Sequence, residues 1–113
     1  MASTKTADNL VYEVAALLGK AVAGEPLGQP EYDTIDGNID PVLSEIEDIV
    51  YVSDRDEIPN KYFQTIARLV GVHSAAKFSN APADLVEVTK HESRLRYLVA
   101  GDPTYETTKV EYF

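Results

Sequence analysis

The sequence predicts a mostly α fold: a small four-helix bundle-like domain with one short extended segment and an extended C-terminal tail. Three observations carry this. Apolar residues recur at three- and four-residue steps through most of residues 7–101. Gly and Pro fall largely between those stretches. The final thirteen residues, GDPTYETTKVEYF, then abandon the helical repeat altogether. A chain of 113 residues is most simply one domain, able to bury roughly two-thirds of its unfolded surface. We read residues 1–101 as the helical domain and 102–113 as a docking tail.

Leu10, Val11, Val14, Leu17, Leu18 and Ala21 form the first amphipathic stripe, so a helix is expected from about Ala7 to Ala23. Thr6 precedes it as an N-cap and Gly24 follows it. After the connector GEPLGQPEYD, the residues Tyr32, Ile35, Ile39, Leu43, Ile46 and Ile49 continue a helical stripe across Asp40–Pro41. Pro41 either kinks one long helix or opens a new one capped by Asp40, and the second helix is expected to have its main body at 40–49. IVYV, β-branched and aromatic, then fits a short strand or extended turn before Pro59.

From Pro59 a long helix is expected to run to about Asn80, with Tyr62, Phe63, Ile66, Leu69, Val70 and His73 on one side. Pro82, near a first helical position, opens the last helix, which turns Leu85, Val88, Leu95, Leu98 and Val99 inward. Its outer face has Glu87–Lys90 and Glu92–Arg96 at pairing distance, and Gly101 and Pro103 end it. The chain holds no internal repeat and no low-complexity segment.

Cysteine is absent, which removes disulfides, thiolate metal sites and a cysteine nucleophile. No run of about 18 apolar residues occurs, and MASTKTADNL lacks the layout of a signal peptide, so a soluble protein that stays where it is made is expected, with no membrane contact. The net charge of −9 is unevenly placed. Residues 25–57 hold eleven acids against the single base Arg55, whereas residues 58–101 hold six bases and three acids. The acidic segment disfavours gripping a phosphate backbone, where affinity comes from Lys and Arg releasing counterions. Unlike patches on one molecule suit head-to-tail contacts between copies.

Tests for chemistry fail one by one. His91-Glu92-Ser93 begins like a zinc-protease signature, but Leu95 stands where the second His belongs. Aligning Gly37 to the sixth position of a calcium loop puts Tyr32, Thr34 and Asp36 at the first ligand sites and Leu43 at the closing Glu. Gly19–Lys20 lacks the rest of a phosphate loop and reads as a helix-terminal turn. His73 and His91 read as packed or interface residues, with no partner ligand at metal spacing. Carboxylate pairs such as Glu45 with Glu47, or Asp54 with Asp56, read as solvated acids, since acid–base work would require a cleft to split their pKa values. No nucleophile, base and orienting group come together, so neither catalysis nor a cofactor is expected.

Extended at about 3.3 Å per residue, residues 102–113 reach on the order of 40 Å. Aromatic residues occur on both sides of the alternation, which fits a strand added to another sheet or laid in a groove between proteins.

LVYEVAALLGK followed by a Gly/Pro connector, then IDPVLSEIEDI, DEIPNKYFQTIARLVGVHSAAKF and PTYETTKVEYF, resembles the small head-to-tail adaptor (connector) proteins of tailed bacteriophages. The Ile-Pro before a Phe- and Ala-containing helix ending in AAKF carries most of the likeness, which covers almost the whole chain. The resemblance implies an α-helical structural protein of the virion, made in the host cytoplasm. It implies a homo-oligomeric ring of about twelve copies beneath the portal protein, with a tail or nozzle protein attached below. In that setting Tyr105, Val110, Tyr112 and Phe113 are the portal-docking anchors. Asp33, Asp36, Asp40, Glu45, Glu47 and Asp48 form an acidic lumen or inter-subunit face past which DNA moves without specific binding. The alternative reading is a small helical module of a cell that docks on one partner through the same tail.

Overall fold

The computed structural model describes residues 3–21 and 26–101. In chain order the elements are β1 (Thr4–Lys5), α1 (Ala7–Leu17), α2 (Gln29–Asp36), α3 (Ile39–Glu45), β2 (Ile58–Pro59), α4 (Asn60–Ser79) and α5 (Leu85–Ala100). The mostly helical fold matches the expectation; the helix expected at 40–49 is α3, which stops at Glu45, and α2 is a further helix that begins within the stretch read as a connector.

The longest apolar stripe becomes the axis of the domain. α4 packs against α1, α2, α3, α5 and the small sheet. It buries Phe63, Ile66, Leu69 and Val70 against Leu10, Val11 and Val14 of α1, Ile35 of α2 and Ile39, Val42 and Leu43 of α3. Burying each such side chain is worth roughly 1.5–3 kcal/mol relative to exposure. At the junction of α2 and α3, the buried Asn38 amide donates to the carbonyl of Thr34 (2.9 Å) and to the Ser74 hydroxyl of α4 (3.2 Å). That pair satisfies polar groups that would otherwise be stranded in the core.

Several boundaries move from where the apolar pattern puts them. α1 begins as expected, with a reciprocal Thr6/Asn9 capping box, but it stops at Leu17 rather than near Ala23. Gly19 adopts φ +72°. Lys20 N–H then reaches Ala15 O (2.8 Å) and Gly19 N–H reaches Ala16 O (3.2 Å). This is the double hydrogen bond of a Schellman stop, which a left-handed glycine makes cheap. Gly19–Lys20 is thus the helix-terminal turn. Asp40 does not cap α3; Asn38 precedes the helix without a side-chain cap, and Pro41 sits in its first turn, where a missing N–H costs nothing.

IVYV forms no strand. The extended pair is instead β1 with β2, antiparallel, with Thr4 opposite Pro59 and Lys5 opposite Ile58. A strand needs an edge to bond, and the N-terminal segment supplies one beside Ile58, not beside Val50. The loop from 46 to 57 is tied back by Asp56, whose carboxylate accepts the N–H of Ala7 (3.1 Å), one of the orphan donors of α1. The last helix opens at Leu85, not at Pro82, because the Asp84 carboxylate accepts from the N–H groups of Val86 and Glu87. Leu85, expected inward, therefore lies at the first helical position, 73 % exposed, while Leu95 is fully buried.

Candidate partner-binding surfaces

The acidic residues singled out in the sequence lie along α2, α3 and the loop beyond, and most are engaged. Asp33 accepts from the Gln29 amide (2.8 Å). Arg55, the lone base of the segment, reaches both Asp36 and, at 3.5 Å, Asp40. It pins the loop to the α2–α3 corner. Glu45 faces His73 of α4 at 3.8 Å, and Asp48 faces Arg96 of α5 at 3.9 Å. Glu47 is exposed and makes no ion pair among the described residues. Together with Asp40 and Asp54 it rims a shallow depression of about 370 Å³, beside which Tyr51 stands 71 % exposed. Partly exposed pairs of this kind contribute at most about 1 kcal/mol each. The segment keeps its negative field, but it is a braced shelf rather than a free acidic fringe.

The opposite charge gathers between α4 and α5. Lys61 and Arg68 of α4, with Lys90, Arg94 and Leu98 of α5, line a groove of about 660 Å³, and among the described residues no carboxylate belongs to that lining. Lys90 and Arg94 fall one turn apart on one helix, Lys61 and Arg68 two turns apart on the other. Sequence reasoning counted these bases without placing them together. The four- and seven-residue spacings were the available signal, but only the α4–α5 pairing shows that the two stripes converge. Arg96 pairs with Asp48 instead of Glu92, while Lys90 lies 3.9 Å from Glu87 as expected.

His91 also lines this groove, buried, with its Nε2 3.4 Å from Glu87. Burial pushes its pKa below the ordinary imidazole value of 6.5; Glu87 pulls it back up, while Lys90 and Arg68 push it further down. His73 is half-buried beside Glu45. Tyr32 donates to Asp8 at 2.8 Å. That hydrogen bond first, and burial second, hold its hydroxyl protonated, with the pKa raised to about 12. Among the described residues no three His, Asp or Glu side chains group as a metal site, and no helix is long and apolar enough to cross a membrane.

α5 packs along α4 with few fully buried side chains. Of its sixteen residues only His91 and Leu95 are buried, while Leu85, Val86 and Tyr97 are 73 %, 76 % and 66 % exposed. A second, mostly apolar cleft of about 450 Å³ lies where the end of α1 meets α4 and the start of α5, lined by Leu17, Leu18, Gly71, Val72, Ala75 and Pro82 among others. The four anchors expected in the tail, Tyr105, Val110, Tyr112 and Phe113, lie outside the described residues. Compared with family models, with curated proteins and with solved structures, the chain matches none.

Proposed function

We propose that the chain is a structural virion protein: a head-to-tail adaptor that forms a ring under a portal protein, extends the DNA channel and offers the attachment platform for a tail or nozzle protein. The observation that supports this best is α5. A helix that leaves Leu85, Val86 and Tyr97 largely in water, and that leads directly into a Tyr- and Phe-bearing tail, is placed for contact with other proteins. Aromatic anchors of this type carry most of the binding energy in protein interfaces. The adaptor works by binding alone, with no catalysis and no cofactor. Its tail lays Tyr105, Val110, Tyr112 and Phe113 on the portal. Fixing twelve residues costs roughly 1–2 kcal/mol each in backbone entropy, so only an extensive interface offsets it. The acidic face of α2 and α3 lines the lumen or the contact between subunits, and it lets DNA slide without gripping.

The test is capture from a producing lysate with the tagged full chain and with a chain ending at Pro103. Portal and tail proteins recovered by the full chain alone are the expected result. Recovery of a single cellular protein instead would replace the adaptor with a small helical regulatory module. Deleting residues 104–113 is expected to leave the helical domain folded and to abolish assembly, and normal infectious particles from that truncation would sink the proposal.

A further inference from the structure

We propose that the basic groove between α4 and α5 is the receptor for the acidic shelf of a second copy of this chain, with Tyr51 as the inserted anchor. The groove lies between α4 and α5, whereas the shelf is built from α3 and the loop beyond it, with no α5 residue in its lining. Lys90, Arg94 and Leu98 follow one another at four-residue steps along the groove flank. Arg96, two residues and therefore about 200° on from Arg94, reaches Asp48 on the far flank, at the foot of the shelf. The two surfaces share no lining residue, so one copy can engage a different neighbour through each. Contact between copies joins unlike surfaces and leaves one groove and one shelf open for the next copy, the arrangement that generates rings.

The two surfaces also match in kind. Among the described residues the groove is lined by four cations, an apolar end at Leu98, Thr65 and Gln64, and by no carboxylate. The shelf carries Asp40, Glu47 and Asp54 around a tyrosine standing 71 % clear of its own domain, with Arg55, which pairs with Asp40, as the cation of its lining. Among the described residues Arg68 has no hydrogen-bond or ion-pair partner, and Arg94 contacts only the ring of Tyr97, at 5.3 Å. An aromatic ring seated between arginines gains from cation–π contact, and the carboxylates around it meet the groove's rim at reduced dielectric. Nucleic acid is the weaker candidate, because a polyanion approaching the groove meets the field of a chain whose net charge is −9. The inference deepens the ring-forming reading above by naming the surfaces that each copy contributes.

Two full-length variants test it. One loses the groove through Arg68→Gln with Arg94→Gln. The other loses the shelf through Tyr51→Ala with Glu47→Gln and Asp54→Asn. Circular dichroism and thermal melting establish first that both are folded. In sedimentation equilibrium at about 1 mM protein and low salt, each variant alone is expected to stay monomeric. The equimolar mixture is expected to form a 1:1 dimer, since it retains one intact groove and one intact shelf. Raising salt from about 0.05 to 0.3 M is expected to weaken the dimer by roughly tenfold or more. A monomeric mixture overturns the proposal, as does association of either variant alone as strong as that of the unaltered chain. In the monomeric case, a short DNA duplex retained by the unaltered chain and lost with the groove variant would assign the groove to phosphate. Dimers without portal capture would leave the interface standing and remove the adaptor reading. Portal capture with monomeric mixtures would do the reverse.

Discussion

Replacing Gly71 with alanine is expected to stabilise the domain, although the position is buried in the middle of α4 where α1 crosses it. A glycine at a helix crossing usually signals that two backbones need to come close. Here that explanation is not required. A methyl group built on Gly71 meets only Cγ1 of Val14, at 4.0 Å, an ordinary van der Waals contact. Removing the excess freedom of glycine from the unfolded chain is worth about 0.5–1 kcal/mol. Covering one further methyl group adds up to about 0.8 kcal/mol. The expected gain is therefore about 1–1.5 kcal/mol. For a domain of this size each kcal/mol raises Tm by roughly 4–8 °C. Thermal unfolding followed by circular dichroism, with urea titration to check that the slope is unchanged, gives the comparison. A fall in Tm would refute the reasoning, because it would mean that α1 lies closer to α4 than the spacing at Val14 allows.

Three other substitutions probe distinct links. Leu95→Ala removes the one fully buried apolar side chain by which α5 is fastened; it is expected to cost roughly 3 kcal/mol by urea unfolding, and a loss under about 1 kcal/mol would contradict the packing. Gly19→Ala forces a Cβ into a left-handed turn that has nothing else within 4 Å, so a cost of about 1–2 kcal/mol is expected from the backbone alone, and an unchanged urea midpoint would argue against the Schellman stop. His91 holds a proton less readily in the folded chain than in the unfolded one. Below about pH 6.5 the unfolded state binds more protons, so stability is expected to fall as acid passes through the lowered folded pKa. His91→Gln should flatten that part of the stability profile, and a slope unchanged by the substitution would locate the titration elsewhere.

The sequence makes plain those features that depend on neighbours within a turn or two. Thr6 and Asn9 recognise each other across three residues, so the start of α1 is readable without any tertiary knowledge. The stripes through Ile35, Ile39 and Leu43, and through Phe63, Ile66 and Val70, repeat because each must face one core. What escapes is what a distant segment decides. IVYV has strand chemistry but no available edge, while the unremarkable Ile58–Pro59 pairs because Thr4–Lys5 lies alongside. Leu85 satisfies the apolar pattern of α5, yet Asp84 starts the helix one residue before it. Nothing buries a first-turn side chain at the end of a hairpin where α4 has already stopped. The basic groove was hidden for the same reason, because two ordinary lysine–arginine spacings become a site only when α4 and α5 are laid side by side.

The division between core and surface on α5 bears directly on how binding would be read. Leu95 fastens the helix, and His91 fills the space beside it. Leu85, Val86, Lys90, Arg94 and Tyr97 contribute little to that attachment, and exposed substitutions of this sort usually change stability by no more than about 0.5 kcal/mol. The residues that hold the domain together and the residues offered to a partner are therefore nearly disjoint sets on a single helix. Loss of assembly with an unchanged melting curve is attributable to the surface. A change at Leu95 alters both together, because it detaches the helix that supplies one wall of the groove. The same separation explains how the shelf can stay strongly acidic without unfolding the chain. Its excess charge is braced by Arg55 and Arg96 at the points where it meets the domain, whereas Glu47 and Tyr51, which brace nothing, project outward.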